Sequence, residues 1–304
     1  MTVLDYTAIC DRIPHRYQNM LLDTVTITSP DSSDFSLHIS PNDTLGRTLF
    51  WDNHSPPQLP TPLTTEIAAL ACISSSGAIK PGYFAYFAGI SNFTLTGGPC
   101  TADTPIQGAT QKRSHRNGFY KHAFTLSCGD TQARGDLTAF YTQEAPSEPN
   151  RPDPVPPMHP DALAHPVAIA PFAYKNPHMT FIDTRYTHQS GYALYGLTYS
   201  LQHPLTRGHF PGNPVMMGVS QWQMLEDTVT DLHHRSELSA GVWQMDARIV
   251  SDTFIPICDM KGMVLSISPQ GIVTTIAARK IAFKQRVSPG DRLILEVSSI
   301  QSAT

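Results

Sequence analysis

The stretch GHFPGNPVMMGVSQWQ, residues 208–223, sets a histidine in a loop locked by glycine and proline and then runs into a segment with helical spacing. The imidazole of His209 can take up a proton near neutral pH, and a carboxyl on the following helix would be its natural counterpart. The position fourteen residues after His209 is Gln223, whose amide exchanges no proton in that range. A base without its acid is at most half of a site, so a proton donor has to come from elsewhere in the chain.

The rest of the composition narrows what that site serves. The chain has 304 residues, 40% of them hydrophobic, enough for two domains with a core each. Its 21 Lys and Arg are spread along the length against 25 Asp and Glu, for a formal charge of −4, so no basic footprint for nucleic acid exists and an acidic or neutral partner is expected. No uninterrupted apolar run reaches membrane-spanning length and the N-terminus has no signal-peptide pattern, so a cytoplasmic protein is expected. Cys10, Cys72, Cys100, Cys128 and Cys258 are odd in number, far apart and free of Cys-x-x-Cys spacing, and they read as reduced thiols. Among the 13 histidines the one tight cluster is His233-His234, whose neighbours cannot share a helix or strand face, so no metal site is expected.

Residues 144–160 carry seven prolines, which remove amide donors and forbid a helix interior or a central strand. This predicts an extended linker over 144–169 between one domain at 1–143 and another at 170–304. The two parts echo each other. MLLDTVTI (20–27) and TFIDTRYT (180–187) are apolar runs closed by Asp-Thr, and TPLTTEIAALACISSSGAI (61–79) and MGVSQWQMLEDTVTDL (217–232) are each part's one convincing helix. Around them lie segments with strand character: 34–40, 122–128, 133–141, 192–201, 271–283 and 292–297. One helix among antiparallel strands, occurring twice, predicts an α+β fold in which each half wraps a sheet around a central helix.

The element GHFPGNPVMMGV (208–219) resembles the signature of the β-hydroxyacyl-acyl-carrier-protein dehydratases of fatty-acid synthesis, whose fold is the hotdog. IPHRYQNMLLDTV (13–25), PGYFAYFAGISNFTL (81–95), QKRSHRNGFYKHAFTL (111–126) and ARKIAFKQRVSPGDRLILEV (278–297) resemble further segments of that family, so the likeness covers most of both halves. It implies a double hotdog, one chain imitating the family's homodimer. It also implies a (3R)-3-hydroxyacyl-thioester dehydratase that yields a trans-2-enoyl product on an acyl-carrier protein without a cofactor, in fatty-acid, polyene or polyketide synthesis. About sixty positions separate Gln223 from the IAF near residue 283, more than the first half uses after its helix, and that departs from the family pattern.

Such a dehydration needs a base for the C2 proton, an acid for the departing hydroxyl and fixed donors for charge developing on the thioester oxygen. In the family each site is built across the dimer interface. Carried over, His209 is the base, Glu66 the acid, and the Gly218 amide at a helix start the oxyanion donor, with Phe210, Gly212 and Pro214 shaping the binding loop. Counting back from Glu66 places Asp52 where the first half's histidine belongs, with His54 two residues on. Asp52 or His54 facing Gln223 is then a degenerate second site, and Asp227, one turn beyond Gln223, is the residue that could revive it by pairing with His54. Met216 and Met217 read as core or tunnel lining and Trp222 as core. The cations Lys112, Arg113, Arg116 and Lys121 offer a docking surface for an acidic carrier protein. Two rival readings remain: a hotdog thioesterase or enoyl-CoA hydratase, and a non-catalytic partner that scaffolds an assembly line.

Overall fold

The computed structural model describes residues 1–76, 84–142, 165–186 and 193–303. The Pro-rich segment therefore lies outside the described residues up to His165, and Val167–Ala168, near its end, form a short strand. In chain order the first half contains β1 (Thr2–Leu4), α1 (Tyr6–Cys10), β2 (Thr24–Ser29), β3 (Ser32–Leu37), α2 (Thr61–Ser75), β4 (Phe84–Thr96), β5 (Ile106–Arg116), β6 (Phe119–Cys128) and β7 (Thr131–Thr142). The second contains β8 (Val167–Ala168), β9 (Thr184–Arg185), β10 (Ala193–Thr198), α3 (Gly218–His234), β11 (Gly241–Ser251), β12 (Pro256–Ile267), β13 (Val273–Phe283) and β14 (Arg292–Ser302).

The fourteen strands of the described residues form one sheet, in the order β1-β2-β3-β5-β6-β7-β4-β13-β12-β11-β14-β10-β9-β8, and every pairing is antiparallel. The halves meet at its centre, where β13 pairs with β4 in the register Ala278↔Phe93 and Ile281↔Ile90. A sheet of this length cannot stay flat, because adjacent strands twist by about −20 to −25°. Each half curls around its own long helix. The chain is a double hotdog.

Both helices are buried by chemistry that leaves them little choice. In α2 every residue from Thr61 to Ser74 is buried, as expected for a helix apolar on nearly all sides. Its start is set by proline in the first turn, where a missing amide costs nothing. Helix α3 is equally enclosed from Val219 to Leu232, although it carries Gln221, Gln223, Glu226, Asp227 and Asp231. Trp222 touches both halves: its ring meets Phe93 of β4 in the first half edge-on at 5.1 Å, and its indole N–H donates to the Thr275 hydroxyl of β13 in its own half at 3.0 Å. Met216 and Met217 are buried as well.

The internal repeat is visible at the hydrogen-bond level. Asp23 accepts from the His38 amide and Asp183 from the Thr198 amide, both at 2.7 Å, so each Asp-Thr pair ties the start of one strand (β2, β9) to the end of the next (β3, β10). The halves are nonetheless not topological copies. In the first, the strand that follows the helix, β4, takes the central position and β5 crosses back beside β3. In the second, β11 and β12 lead outside-in to the central β13, and β14 crosses back to lie between β11 and β10. Three long strands thus precede the crossing in the second half. This accounts for the sixty-residue spacing after Gln223 that departs from the family pattern.

Candidate active site

His209 sits on the loop ahead of α3, and its placement depends on the other half of the chain. The Arg16 amide donates to the Gly208 carbonyl at 2.9 Å, and the side-chain amides of Asn19 and Gln18 donate to the Leu205 and Pro204 carbonyls at 2.9 and 2.5 Å. Glycine is required at 208, since a Cβ there would lie 2.1 Å from the Arg16 carbonyl oxygen. Past the histidine the backbone turns through left-handed conformations at Phe210 (φ +57°) and Gly212 (φ +85°). For a phenylalanine that costs on the order of 1–3 kcal/mol and persists because the surroundings fix it. The imidazole Nδ1 donates to the Val215 carbonyl at 2.5 Å, which leaves Nε2 with its lone pair free.

Glu66, on the second turn of α2, reaches the same point from the first half. Ligand atoms of Glu66, His209 and a further residue, His15, all lie within 4.8 Å of one another. His15 and His209 have ring centroids 4.8 Å apart at 57°, and all three residues are buried. Burial pushes the Glu66 carboxyl up from 4.5 to about 7, with no hydrogen bond among the described residues to oppose it. It pushes His209 down to about 4, only partly offset by the Val215 carbonyl. His15 is held well below the usual imidazole range by burial and by the neighbouring His209 and Arg16. Between roughly pH 4 and 7 His209 is therefore a neutral imidazole beside the protonated Glu66 carboxyl, a base and an acid in the forms that proton removal and hydroxyl departure require.

The cluster opens into a cavity of about 600 Å³ with mainly apolar walls, including Leu70, Ile73, Tyr86, Phe210 and Phe283. That lies in the size range of a small-molecule site. Gly218, the first residue of α3, lines the cavity, and its amide has no intrahelical partner. A Cβ at this position would come within 3.0 Å of the Phe283 ring, so glycine keeps the backbone accessible. Of the loop residues expected to bind substrate, Phe210 lines the cavity, whereas Gly212 is exposed and Pro214 half-buried away from its wall. Their work is in the turn.

The expected second site is brought together and closed. Asp52 and Gln223 share a cavity of only about 40 Å³, too small for an acyl chain. Asp52 caps its own loop, accepting from the Gln58 amide at 2.7 Å, the His54 amide at 3.1 Å and the His54 ring at 2.7 Å. Asp227 does not pair with His54: its carboxylate is bound by the Lys175 ammonium, by the Phe181 amide at 2.6 Å and by the Gln223 side chain at 3.2 Å. Sequence reasoning also passed over Glu226, a second buried carboxyl pushed up to about 7, which accepts from the Thr275 hydroxyl at 2.7 Å and amide at 3.1 Å. Nothing local marked His15 or Glu226. His15 was visible inside IPHRYQNM, but only folding brings it to His209.

No family model and no curated protein matches the chain. Solved structures do. It is similar to a pyran synthase domain from module nine of the sorangicin pathway (13% identity, 94% of this chain and 99% of that one, TM-score 0.47). It is also similar to the dehydratase domain from the CurF module of curacin polyketide synthase (11%, 95% and 100%, 0.46) and to a variant of the PpsC dehydratase domain from Mycobacterium tuberculosis (12%, 90% and 100%, 0.46). These are likenesses of fold. Among the described residues no helix is long and apolar enough to cross a membrane.

Proposed function

We propose that the chain is a dehydratase of (3R)-3-hydroxyacyl thioesters carried on an acyl-carrier protein, with one active site built by its two halves, 1–143 and 170–304. The observation that carries this reading is the meeting of His209 and Glu66 from opposite halves, within 4.8 Å of each other at the head of a large apolar cavity. His209 Nε2 removes the C2 proton, the C2–H electrons form the C2=C3 bond, and the C3–O bond breaks as Glu66 gives its proton to the departing hydroxyl. Water and a trans-2-enoyl thioester leave, and the proton returns from imidazolium to carboxylate. The Gly218 amide, at the positive end of α3, stabilises the thioester oxygen as charge builds on it. No step calls on a cofactor.

The carrier would dock on the β5–β6 hairpin. Arg113, Arg116 and Lys121 are exposed there, Lys112 is paired with Asp31, and Phe119, which pairs with Arg116, lines the cavity. The test is turnover of a short 3-hydroxyacyl carrier substrate by wild type, His209→Ala and Glu66→Gln. A Glu66→Gln protein with full turnover sinks the cross-half site. A wild type inert on every chain length leaves the scaffold reading in its place.

A further inference from the structure

We propose that His15, Glu66 and His209 form a binding site for one Zn²⁺ ion, and that a bound ion shuts the catalytic site. The first half of this statement stands on geometry and ligand chemistry alone. The second rests on the dehydratase reading, in which His209 is the base.

Two imidazoles and a carboxylate are a donor set zinc accepts, and three protein ligands with a fourth direction open to solvent is the pattern of a reactive zinc site. Among the described residues this is the one group of three or more such side chains with ligand atoms close together, and all three are buried. Each ligand is prepared differently. His209 is oriented by its Nδ1–H bond to the Val215 carbonyl, the support that metal-bound histidines commonly have, and Nε2 is left to coordinate. His15 is 3% exposed and its Nδ1 has no hydrogen-bond partner, an arrangement that is unfavourable unless something occupies the site. Glu66 is tied down by no hydrogen bond among the described residues, so its carboxyl can swing. Zinc with bonds of about 2.1 Å wants its ligands roughly 3.4 Å apart. The ligand atoms lie within 4.8 Å of one another, so the widest pair must close by up to about 1.4 Å for a zinc ion to bind all three. The cavity provides the open fourth position.

Exclusion follows from one lone pair. The Nε2 electrons that would take the C2 proton are the electrons that would bind the metal, and Glu66 cannot hold its proton while it coordinates. Zinc should therefore inhibit in competition with the substrate, and a chelator should restore activity.

The experiment uses the untagged full-length protein, stripped with EDTA. Zn²⁺ is titrated by calorimetry, and Co²⁺ is titrated by its visible d–d absorption, which reports coordination without reference to turnover. The expected result is saturable uptake of one ion per chain, weakened at least tenfold in His15→Asn and in Glu66→Gln and unchanged in His178→Asn, a surface control. In wild type, bound Zn²⁺ should slow acylation of His209 by diethyl pyrocarbonate, a readout that needs no folded variant. Absence of one-to-one uptake, or uptake unaltered by His15→Asn, overturns the site. Uptake with these properties in a protein that turns over no hydroxyacyl substrate upholds the metal site and removes the dehydratase reading. Turnover indifferent to a saturating, demonstrated Zn²⁺ load overturns the exclusion.

Discussion

Replacing Glu66 by glutamine should make the protein more stable and less active, with a pH dependence that identifies the cause. The carboxyl titrates near 4.5 in the unfolded chain and about 7 in the folded one because burial disfavours its charge. Below pH 4.5 both states hold the proton and the group contributes no pH dependence. As pH rises from 4.5 to about 7, the unfolded state releases the proton and the folded state does not, so folding stability falls; above 7 the loss is complete. At about 1.4 kcal/mol per pH unit that interval amounts to about 3 kcal/mol. Glutamine has nearly the same shape and no proton to lose, so the variant escapes this loss.

The measurement is the melting temperature of wild type and Glu66→Gln from pH 4.5 to 8. Glu226 is raised to a similar value but is present in both proteins, so it cancels from the difference. At a few degrees per kcal/mol, a difference near zero at pH 4.5 should open to about 5–10 °C by pH 8. Turnover at pH 6 should fall by about 10²–10⁴, the range for a positioned acid. Parallel melting curves across the range would refute the argument, since they would mean that Glu66 ionises in the folded protein as easily as in water and is not the held acid proposed.

The same two residues predict that kcat/KM for a hydroxyacyl substrate is flat between about pH 4 and 7 and declines on either side, as His209 gains a proton below and Glu66 loses one above. A profile rising through pH 8 would reverse the assignment. Lys175→Met should destabilise by about 3–5 kcal/mol at neutral pH, because it leaves Asp227 charged and buried, while turnover per folded molecule stays unchanged; denaturant unfolding and an activity assay separate the two. Gly218→Ala pushes a methyl to within 3.0 Å of the Phe283 ring, so we expect a loss of about 1–3 kcal/mol in stability and a kcat decrease with little change in KM. An alanine variant with full kcat would show that the Gly218 amide faces no developing charge.

How much of this was legible in the sequence depended on whether local pattern and tertiary environment agreed. The central helices were: residues 61–79 and 217–232 carry dense apolar content with proline or glycine at the start, and α2 and α3 begin at Thr61 and Gly218. So were β6 and β7, where burial alternates with the pleat for most of their length, and β13, whose Val-Thr-Thr-Ile run marks a strand although its burial does not alternate. Strands β11 and β12 were not singled out. Their ladder slips between Met245 and Ala247 and again between Ile249 and Val250, and each slip resets the period-two pattern on which a strand reading relies. The crossover of β14 was equally invisible, since nothing in RLILEV says which strand lies beside it.

The site divided along a different line. His209, Glu66 and Gln223 were found because loop and helix preserve their spacing along the chain. His15 was not, because its closeness to His209 is created by hydrogen bonds from Arg16, Gln18 and Asn19 to a loop almost two hundred residues away. The structure adds a physical contrast that spacing could not supply. Around Asp52 and Gln223 the carboxylates are held, with Asp52 bound into its own loop, Asp227 to Lys175 and Glu226 to Thr275, although Gln223 Oε1 and the Trp51 indole N–H have no partner, and about 40 Å³ of space remains. Beside His209 and Glu66 the Nδ1 of His15 is buried without a partner, and about 600 Å³ of mainly apolar-walled space adjoins the three residues. The difference between the two places is therefore one of space and of held carboxylates, and under the proposed function it is the open one that admits substrate.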